Sequence, residues 1–443
     1  MVERFDIVVL GGGPAGCATA LGLSRLGHRV ALVTRPRRVL AIEGLPARTE
    51  AVLKSVGLGA ALATLGPRIE RRASWRCETS TVNRERIVNR ARFDAVLLKT
   101  LRLSDATVID AAVGAIRTGE HGATVTLRPS RWDKMELEAG VIVEARGRQA
   151  PRSKGRRVAA PETAALVREW QIASDMGSFS ATASFDDGWA WFAADHEGQA
   201  VLQVFVAGGR GQMPSREKLN RFYGDLIARI PEAAVWLTGA RPVGPVIARA
   251  AGPVLCEPTI ERGVIRVGDA AIALDPLSGH GVFEALGCAL AAVPVIITLI
   301  RHPERADLAI DFYHYRAGTR FAHAIDVGRE FYAGETRWPE RPFWRGRRQP
   351  LKRQPMFVHW PPDEIVIARR PVVDGHVIKA ADVLVMPDHP RGIWRVAGVP
   401  VVSLLEFLEN KGSSLELAVR RFKVTFGEAA VARDWLRYRG LVP

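Results

Sequence analysis

The stretch Asp6-Ile-Val-Val-Leu10, Gly11-Gly-Gly-Pro-Ala-Gly16, Cys17-Ala-Thr-Ala-Leu-Gly-Leu23 decides the fold. An apolar run enters a glycine-rich turn and leaves it as an alanine-rich helix. Gly11, Gly13 and Gly16 have the GxGxxG spacing. The first permits a tight turn, the second leaves room for a pyrophosphate, and the third lets the helix lie close on the strand. Pro14 and Ala15 open the helix, whose free N–H groups and dipole favour phosphate. Val30-Ala-Leu-Val33 follows at the distance a βαβ unit requires. The pattern predicts an α/β fold with a Rossmann-like dinucleotide site.

The 443 residues amount to about three domains at roughly 150 residues each. Lys and Arg number 62 against 47 Asp and Glu, a formal charge of +15. Such a surface attracts polyanions, whether acidic polypeptide, phosphorylated cofactor or nucleic acid, although a merely solvated basic surface reads the same. The four cysteines (Cys17, Cys77, Cys256, Cys288) lie far apart without a CxxC pair. That spacing argues against a zinc site or disulfide framework, so no metal is expected, and it suits a reducing cytoplasm. No signal peptide is expected. The apolar run 285–300 is interrupted by Pro294 and falls short of the ~20 residues that span a bilayer, so it is read as a buried helix and no membrane partner is expected.

Dinucleotide folds usually end their second strand in an acid that binds ribose. Here Thr34 stands in that place beside Arg35, so a hydroxyl and a guanidinium replace the carboxylate. Residues 42–65 read as helix with 42–48 leading in, 68–87 as polar and irregular with β-prone spots, 95–101 as helix, and 108–127 as strands turning at Glu120-His-Gly122. Residues 180–207 alternate apolar and polar, which predicts antiparallel strands. Residues 213–237 read as helix broken at Pro231.

A second glycine-rich turn lies far downstream. Val264-Ile-Arg-Val-Gly-Asp269 is a strand ending in an acid, and Asp275-Pro-Leu-Ser-Gly-His-Gly281 leads into the long apolar helix. Asp269 can accept hydrogen bonds from a polyol, and the N–H groups at the helix start favour negative charge. With these pieces the chain resembles the FAD-dependent monooxygenases of the p-hydroxybenzoate hydroxylase type, and more closely the branch that includes flavin-dependent tryptophan halogenases. GGGPAG at 11–16, Arg90 through Phe93-Asp94, Ala145-Arg-Gly147, and Gly268-Asp269 through Pro276 to Gly281 carry the resemblance. It implies FAD as cofactor. Gly11, Gly13 and Gly16 would hold the pyrophosphate and Asp269 the ribitol. Gly279 to Gly281 would face the isoalloxazine, and Arg90 and Arg48 would lie along the cofactor. Thr34 and Arg146 depart from the family's usual residues.

The resemblance further implies dioxygen as co-substrate and a flavin hydroperoxide that hydroxylates an electron-rich ring or oxidises halide. A second GxGxxG is lacking, so electrons would come from transiently bound NADH or NADPH or from a partner flavin reductase. Halogenases carry W-x-W-x-I-P and a lysine upstream of the R-x-x-F-D box. Trp189-Ala-Trp191 keeps the tryptophans without Ile-Pro, and residues 55–88 contain no lysine. Hydroxylation is therefore the expected reaction. Trp189 and Trp191 share one strand face, either as sheet core or as a stacking surface for substrate. His280, within the flavin-facing turn, is the candidate catalytic residue or else a turn residue without a chemical role.

Phe331 to Arg345 is an aromatic and proline-rich strap that continues into basic residues to Arg353, and three helices are predicted at 402–409, 415–422 and 428–438. Ser413-Ser-Leu-Glu416 reads as a capping box. The expected fold is an FAD-binding Rossmann-like domain (1–70, 88–160, 258–335), an antiparallel substrate domain (71–87, 161–257), and a strap with a small helical or winged-helix-like domain (336–443). This layout resembles the flavoproteins that mature tryptophylquinone enzymes. The resemblance implies hydroxylation of a tryptophan in a partner polypeptide that docks on the basic surface and C-terminal domain. The alternatives are the same chemistry on a free indole or phenol, a halogenase, and a flavin-sensing nucleic-acid-binding regulator, although a nucleic-acid partner is not expected.

Overall fold

A computed structural model describes residues 2–37, 40–119, 122–129, 135–151, 157–159, 161–173, 177–209, 213–348, 364–411 and 414–442. It divides into two compact units, Met1–Val293 with Arg316–Gln354, and Pro294–Tyr315 with Pro355–Pro443.

The first unit holds two large sheets. In one, β1 (Val2–Leu10) pairs in parallel with β2 (Val30–Thr34) and with strand Met135–Glu144. Parallel pairing continues from β2 to Thr107–Gly119 and from Met135–Glu144 to Val264–Arg266. Ile7, Val8, Val9 and Leu10 are all buried, as expected of a central parallel strand covered on both faces. Helix α1 (Pro14–Arg25) crosses between β1 and β2. Thr107–Gly119 pairs antiparallel with Gly122–Pro129, and residues 120–121 of the expected turn lie outside the described residues.

The other sheet has eight strands in the order Arg241–Ala250, Thr163–Gln171, Gln199–Ala207, Gly188–Ala194, Phe179–Phe185, β4 (Arg68–Trp75), β5 (Glu78–Asn89) and β3 (Ile42–Pro46). All neighbours are antiparallel except Phe179–Phe185 against β4. Two expectations need correction here. The 42–65 segment is not one helix: it gives β3 and then helix α2 (Ala47–Ser55). Gly44 and Pro46 suit an edge strand rather than a helix interior. The irregular 68–87 segment is a regular hairpin, whose many arginines hid a strand with one solvated face.

The period of two along this sheet separates two cores. Ala190 and Phe192 face helices Leu219–Ile227 and Pro231–Trp236, while Trp189 and Trp191 face Tyr332, Phe343 and Trp344 of the strap. The strap is thus a packed cover over one sheet face. Trp344 is fully buried and donates its indole N–H to the carbonyls of Phe185 and Asp186. The basic continuation beyond Arg348 lies outside the described residues.

In the second unit a three-stranded antiparallel sheet (Val366–Asp374, Val377–Met386, His389–Ile393) accompanies helices Val401–Lys411, Leu415–Phe422 and Phe426–Tyr438. Leu404, Ala418, Ala429, Ala432 and Leu436 form its core. The capping box falls one helix later than expected. Thr425 and Glu428 form it reciprocally, whereas Ser414 caps its helix alone. Helix Gly281–Arg301 is long and apolar enough to cross a membrane, but 67% of its most apolar window is buried, as in a core helix.

Glu335 ties the strap down. Its fully buried carboxylate accepts from the Arg337 guanidinium at 2.8 and 2.9 Å, from the Arg76 N–H at 3.0 Å and from the Ser184 hydroxyl at 2.7 Å. Burial alone would raise its pKa, but the Arg337 guanidinium and the N–H donors hold it at about 2. Its folded pKa is depressed, so its stabilisation is present above about pH 4.5 and is lost as pH falls toward 2. Glu335→Ala is expected to cost about 3 kcal/mol in urea unfolding at neutral pH, by leaving buried donors unpaired, and less at pH 3.

Candidate functional site

The turn between β1 and α1 is built by close backbone approach. Gly11 has φ +119°, and a Cβ there would overlap the Ala145 carbonyl. A Cβ on Gly16 would overlap the carbonyl oxygen of Gly11. Gly13 differs: an added Cβ would meet only Nη2 of Arg90, at 3.9 Å. Gly13 is thus the one of the three not required by packing. No side chain caps α1, and Pro14 occupies its first turn, so the remaining first-turn N–H groups are left for an anion. Thr34 turns inward and accepts the Gly12 N–H at 3.1 Å, bracing the loop. Arg35 is exposed and reaches the Arg128 carbonyl at 3.3 Å.

Arg90 stands beside this loop at the start of helix α3 (Arg90–Arg102), which Asn89 caps. Its buried guanidinium bonds Glu43 at 2.6 Å and Asp94 at 3.0 and 3.2 Å. Burial disfavours the charge, but the two carboxylates outweigh it and keep Arg90 cationic. Arg146 folds back onto buried Glu144 instead of reaching into the groove. Asp269 keeps a partly exposed carboxyl with Arg148 at 3.6 Å. Its recessed position pushes its pKa up, and Arg148 opposes.

The second turn comes close to the antiparallel sheet. Gly279 has φ +63°, and a Cβ on it would stand 3.0 Å from Nη1 of Arg71 on β4. Arg71 is buried. Its Nε and Nη2 donate to Thr182 at 3.3 and 3.1 Å, and Glu85 is its nearest opposite charge. His280 follows, half-buried, with its backbone N–H donating to the Ser278 hydroxyl at 3.3 Å. Burial, then the Arg48 cation, lowers its pKa to about 4. Arg48 lies over the Phe283 ring at 4.6 Å. Pro276 starts the turn, and Asp275 before it accepts from the Leu277 N–H at 3.0 Å and from the Tyr332 hydroxyl at 3.0 and 3.1 Å. Burial, then the Asp275 charge, holds the Tyr332 phenol well above its usual range, so it remains a donor.

Gly11 to Gly16, Arg90, Gly268 and Asp269 therefore converge, as do Arg48, Gly279, His280 and Gly281. A Cβ on Gly268 would stand 2.9 Å from that of Ala15, which joins the two glycine turns directly. Trp189 and Trp191 are taken up by the fold. Trp189 stacks on Phe205 at 3.9 Å and donates to Tyr332 at 3.2 Å, and Trp191 donates to Ser180 at 3.1 Å. Glu43, Arg71, Glu85, Asp275 and Tyr332 were not expected from sequence. Glu43 and Arg71 lay in segments misread as helix and irregular chain, and only the Asp-Pro before the second turn pointed toward Asp275.

Two glycine turns, a phosphate-ready helix and a polyol-accepting acid fit FAD, and define a FAD-dependent oxidoreductase of the monooxygenase and halogenase type. The comparisons agree. The lycopene cyclase protein family matches residues 6–166. A digeranylgeranylglycerophospholipid reductase of Methanothrix thermoacetophila is 24% identical over 367 residues, covering 74% of this chain and 88% of the relative. The myxobacterial chondrochloren halogenase CndH is 23% identical with TM-score 0.71, covering 79% of this chain and 87% of that one. The structure of QhpG, described as a peptidyl tryptophan dihydroxylase essential for tryptophylquinone cofactor biogenesis, is 35% identical with TM-score 0.82, covering 99% of this chain and 100% of that one. The chain belongs to the QhpG family of flavoproteins.

Two outcomes check the site. Gly13→Val is expected to fold with an unchanged melting curve as apoprotein yet to purify without FAD, whereas Gly16→Val fails to fold; a G13V protein that keeps its flavin would contradict the assignment of the loop. The His280 imidazole is expected to titrate near pH 4 in an NMR titration, not near 6.5. Because its folded pKa is depressed, it favours the unfolded state increasingly as pH falls from 6.5 to 4.

Proposed function

We propose that this protein is a FAD-dependent monooxygenase that hydroxylates a tryptophan side chain of a partner polypeptide, as a step in building a tryptophylquinone cofactor. The observation that carries this reading is the similarity to QhpG over its whole length, strap and C-terminal unit included. NADH or NADPH, or a partner reductase, would supply electrons, and dioxygen the inserted oxygen. The bound flavin supplies dioxygen activation. The chain's own residues bind and shape the site. The N–H groups of α1 and the charge of Arg90 hold the pyrophosphate, and Asp269 accepts from the ribitol. Arg71, with its guanidinium beside Gly279 and hydrogen-bonded to Thr182, would set a positive charge beside the turn; burial works against that charge and the Glu85 carboxylate supports it. The strap and sheet aromatics keep that face dry. His280, neutral above about pH 4, offers a hydrogen bond rather than a cation.

Hydroxylation is favoured over halogenation because residues 55–88 contain no lysine and Trp191 is followed by Phe-Ala-Ala rather than reaching an Ile-Pro. The test is mass spectrometry of a tryptophylquinone precursor polypeptide after incubation with the protein, FAD, NADH and air. One or two oxygen atoms gained on a single tryptophan is the expected result. An unmodified polypeptide alongside hydroxylated free indole would replace this reading with a small-molecule hydroxylase, and a halide-dependent gain with a halogenase.

A further inference from the structure

We propose that the free edge of β5, residues 78–84, is the docking strand for the partner polypeptide, which adds to the sheet as one more strand. This rests on the polypeptide-substrate reading above and names the surface that reading requires.

β5 is twelve residues long, but β3 covers only its last five, pairing Pro46 with Glu85 through Ile42 with Asn89. On the other side β4 pairs along its whole length. Residues 78–84 therefore have β4 on one side and, among the described residues, no strand on the other. All seven are exposed. Natural sheets blunt such edges with proline, charged side chains (lysine above all), β-bulges or a covering element. Glu78-Thr-Ser-Thr-Val-Asn-Arg84 contains neither proline nor lysine, and its Thr-Ser-Thr-Val centre is β-prone. The irregularity present is a register shift opposite Arg71 and Arg72, which leaves Val82 half-exposed.

The edge also leads to the site. Asn83 is the cross-strand neighbour of Arg71, whose guanidinium approaches Gly279. Glu85, next along β5, is buried and accepts from Ser180. At about 4.8 Å per strand, an added segment would lie roughly 10 Å from β4, and its alternate side chains would stand on the same sheet face as Arg71. Charge selects the occupant. The exposed arginines of the hairpin, Arg68, Arg72, Arg76 and Arg84, outnumber its exposed glutamates, Glu70 and Glu78, so the hairpin favours an extended acidic segment.

The test uses the FAD-loaded protein and a short synthetic acidic peptide of alternating β-branched residues with one tryptophan, followed by hydrogen exchange and dye anisotropy. Added peptide is expected to protect the amides of 79–84 selectively. Backbone N-methylation of every second peptide residue is expected to weaken binding on the order of tenfold in one register and hardly at all in the other, because alternate amides face the sheet. Of Ser80→Pro and Thr81→Pro, one is expected to weaken binding similarly while FAD content is retained. No protection at millimolar peptide, or equal effects of the two N-methyl registers, overturns the proposal. So does protection that appears without peptide and rises with protein concentration, which would mean that the edge pairs with a second copy. Oxygenation of the peptide is read separately: a peptide oxygenated without edge protection removes the docking strand and leaves the proposed chemistry standing.

Discussion

Arg90 is the joint on which the structure turns. It sits where β5 of the antiparallel sheet passes into α3 of the nucleotide-binding layer, and its guanidinium is buried between Glu43 of β3 and Asp94 of its own helix. A buried cation is costly unless paired. Here the pairing draws together two segments far apart in the chain and leaves Nη2 facing the open side of Gly13. Removing either carboxylate would leave Arg90 with a single anionic partner and with buried guanidinium N–H groups unfilled. The cofactor cradle and the neighbouring sheet are thus fixed by one cluster.

A second constraint acts through the strap. Tyr332 hydrogen-bonds both Trp189 in the sheet and Asp275 before the second glycine turn, so one hydroxyl links the covered face to the turn. Glu335 and Trp344 hold the same strap against Ser184, Phe185 and Asp186. Together these contacts seal one side of the sheet and position the Gly279–Gly281 turn without using any of its own side chains. The turn stays available, and burial first, then the charges of Arg48, Arg320 and Arg71, keeps His280 neutral.

The parts of this arrangement legible in the sequence are those set by backbone conformation. Gly11, Gly16 and Gly279 occupy positions where a side chain would clash or a positive φ is needed, so motif spacing exposed them. The C-terminal helices were legible from their apolar period, and the 180–207 strands from their alternation. What escaped was decided by tertiary pairing. Arg71 and Glu85 look like members of an ordinary charged run, and only the placement of β4 beside Phe179–Phe185 turns them inward. Thr34, a candidate cofactor contact by its place at the end of β2, accepts the Gly12 N–H, and Arg146, which departs from the family's usual residue, pairs with Glu144. Spacing alone leaves Trp189 and Trp191 as either core or stacking surface, and the strap packs over both.

The most direct measurement of the central claim is turnover under isotopically heavy dioxygen, with the partner polypeptide digested and its tryptophan sequenced by tandem mass spectrometry. The account predicts heavy oxygen on the indole ring of one tryptophan, dependent on FAD and an electron donor and independent of halide. Oxygen drawn from water, or a ring modified only when halide is present, would contradict it.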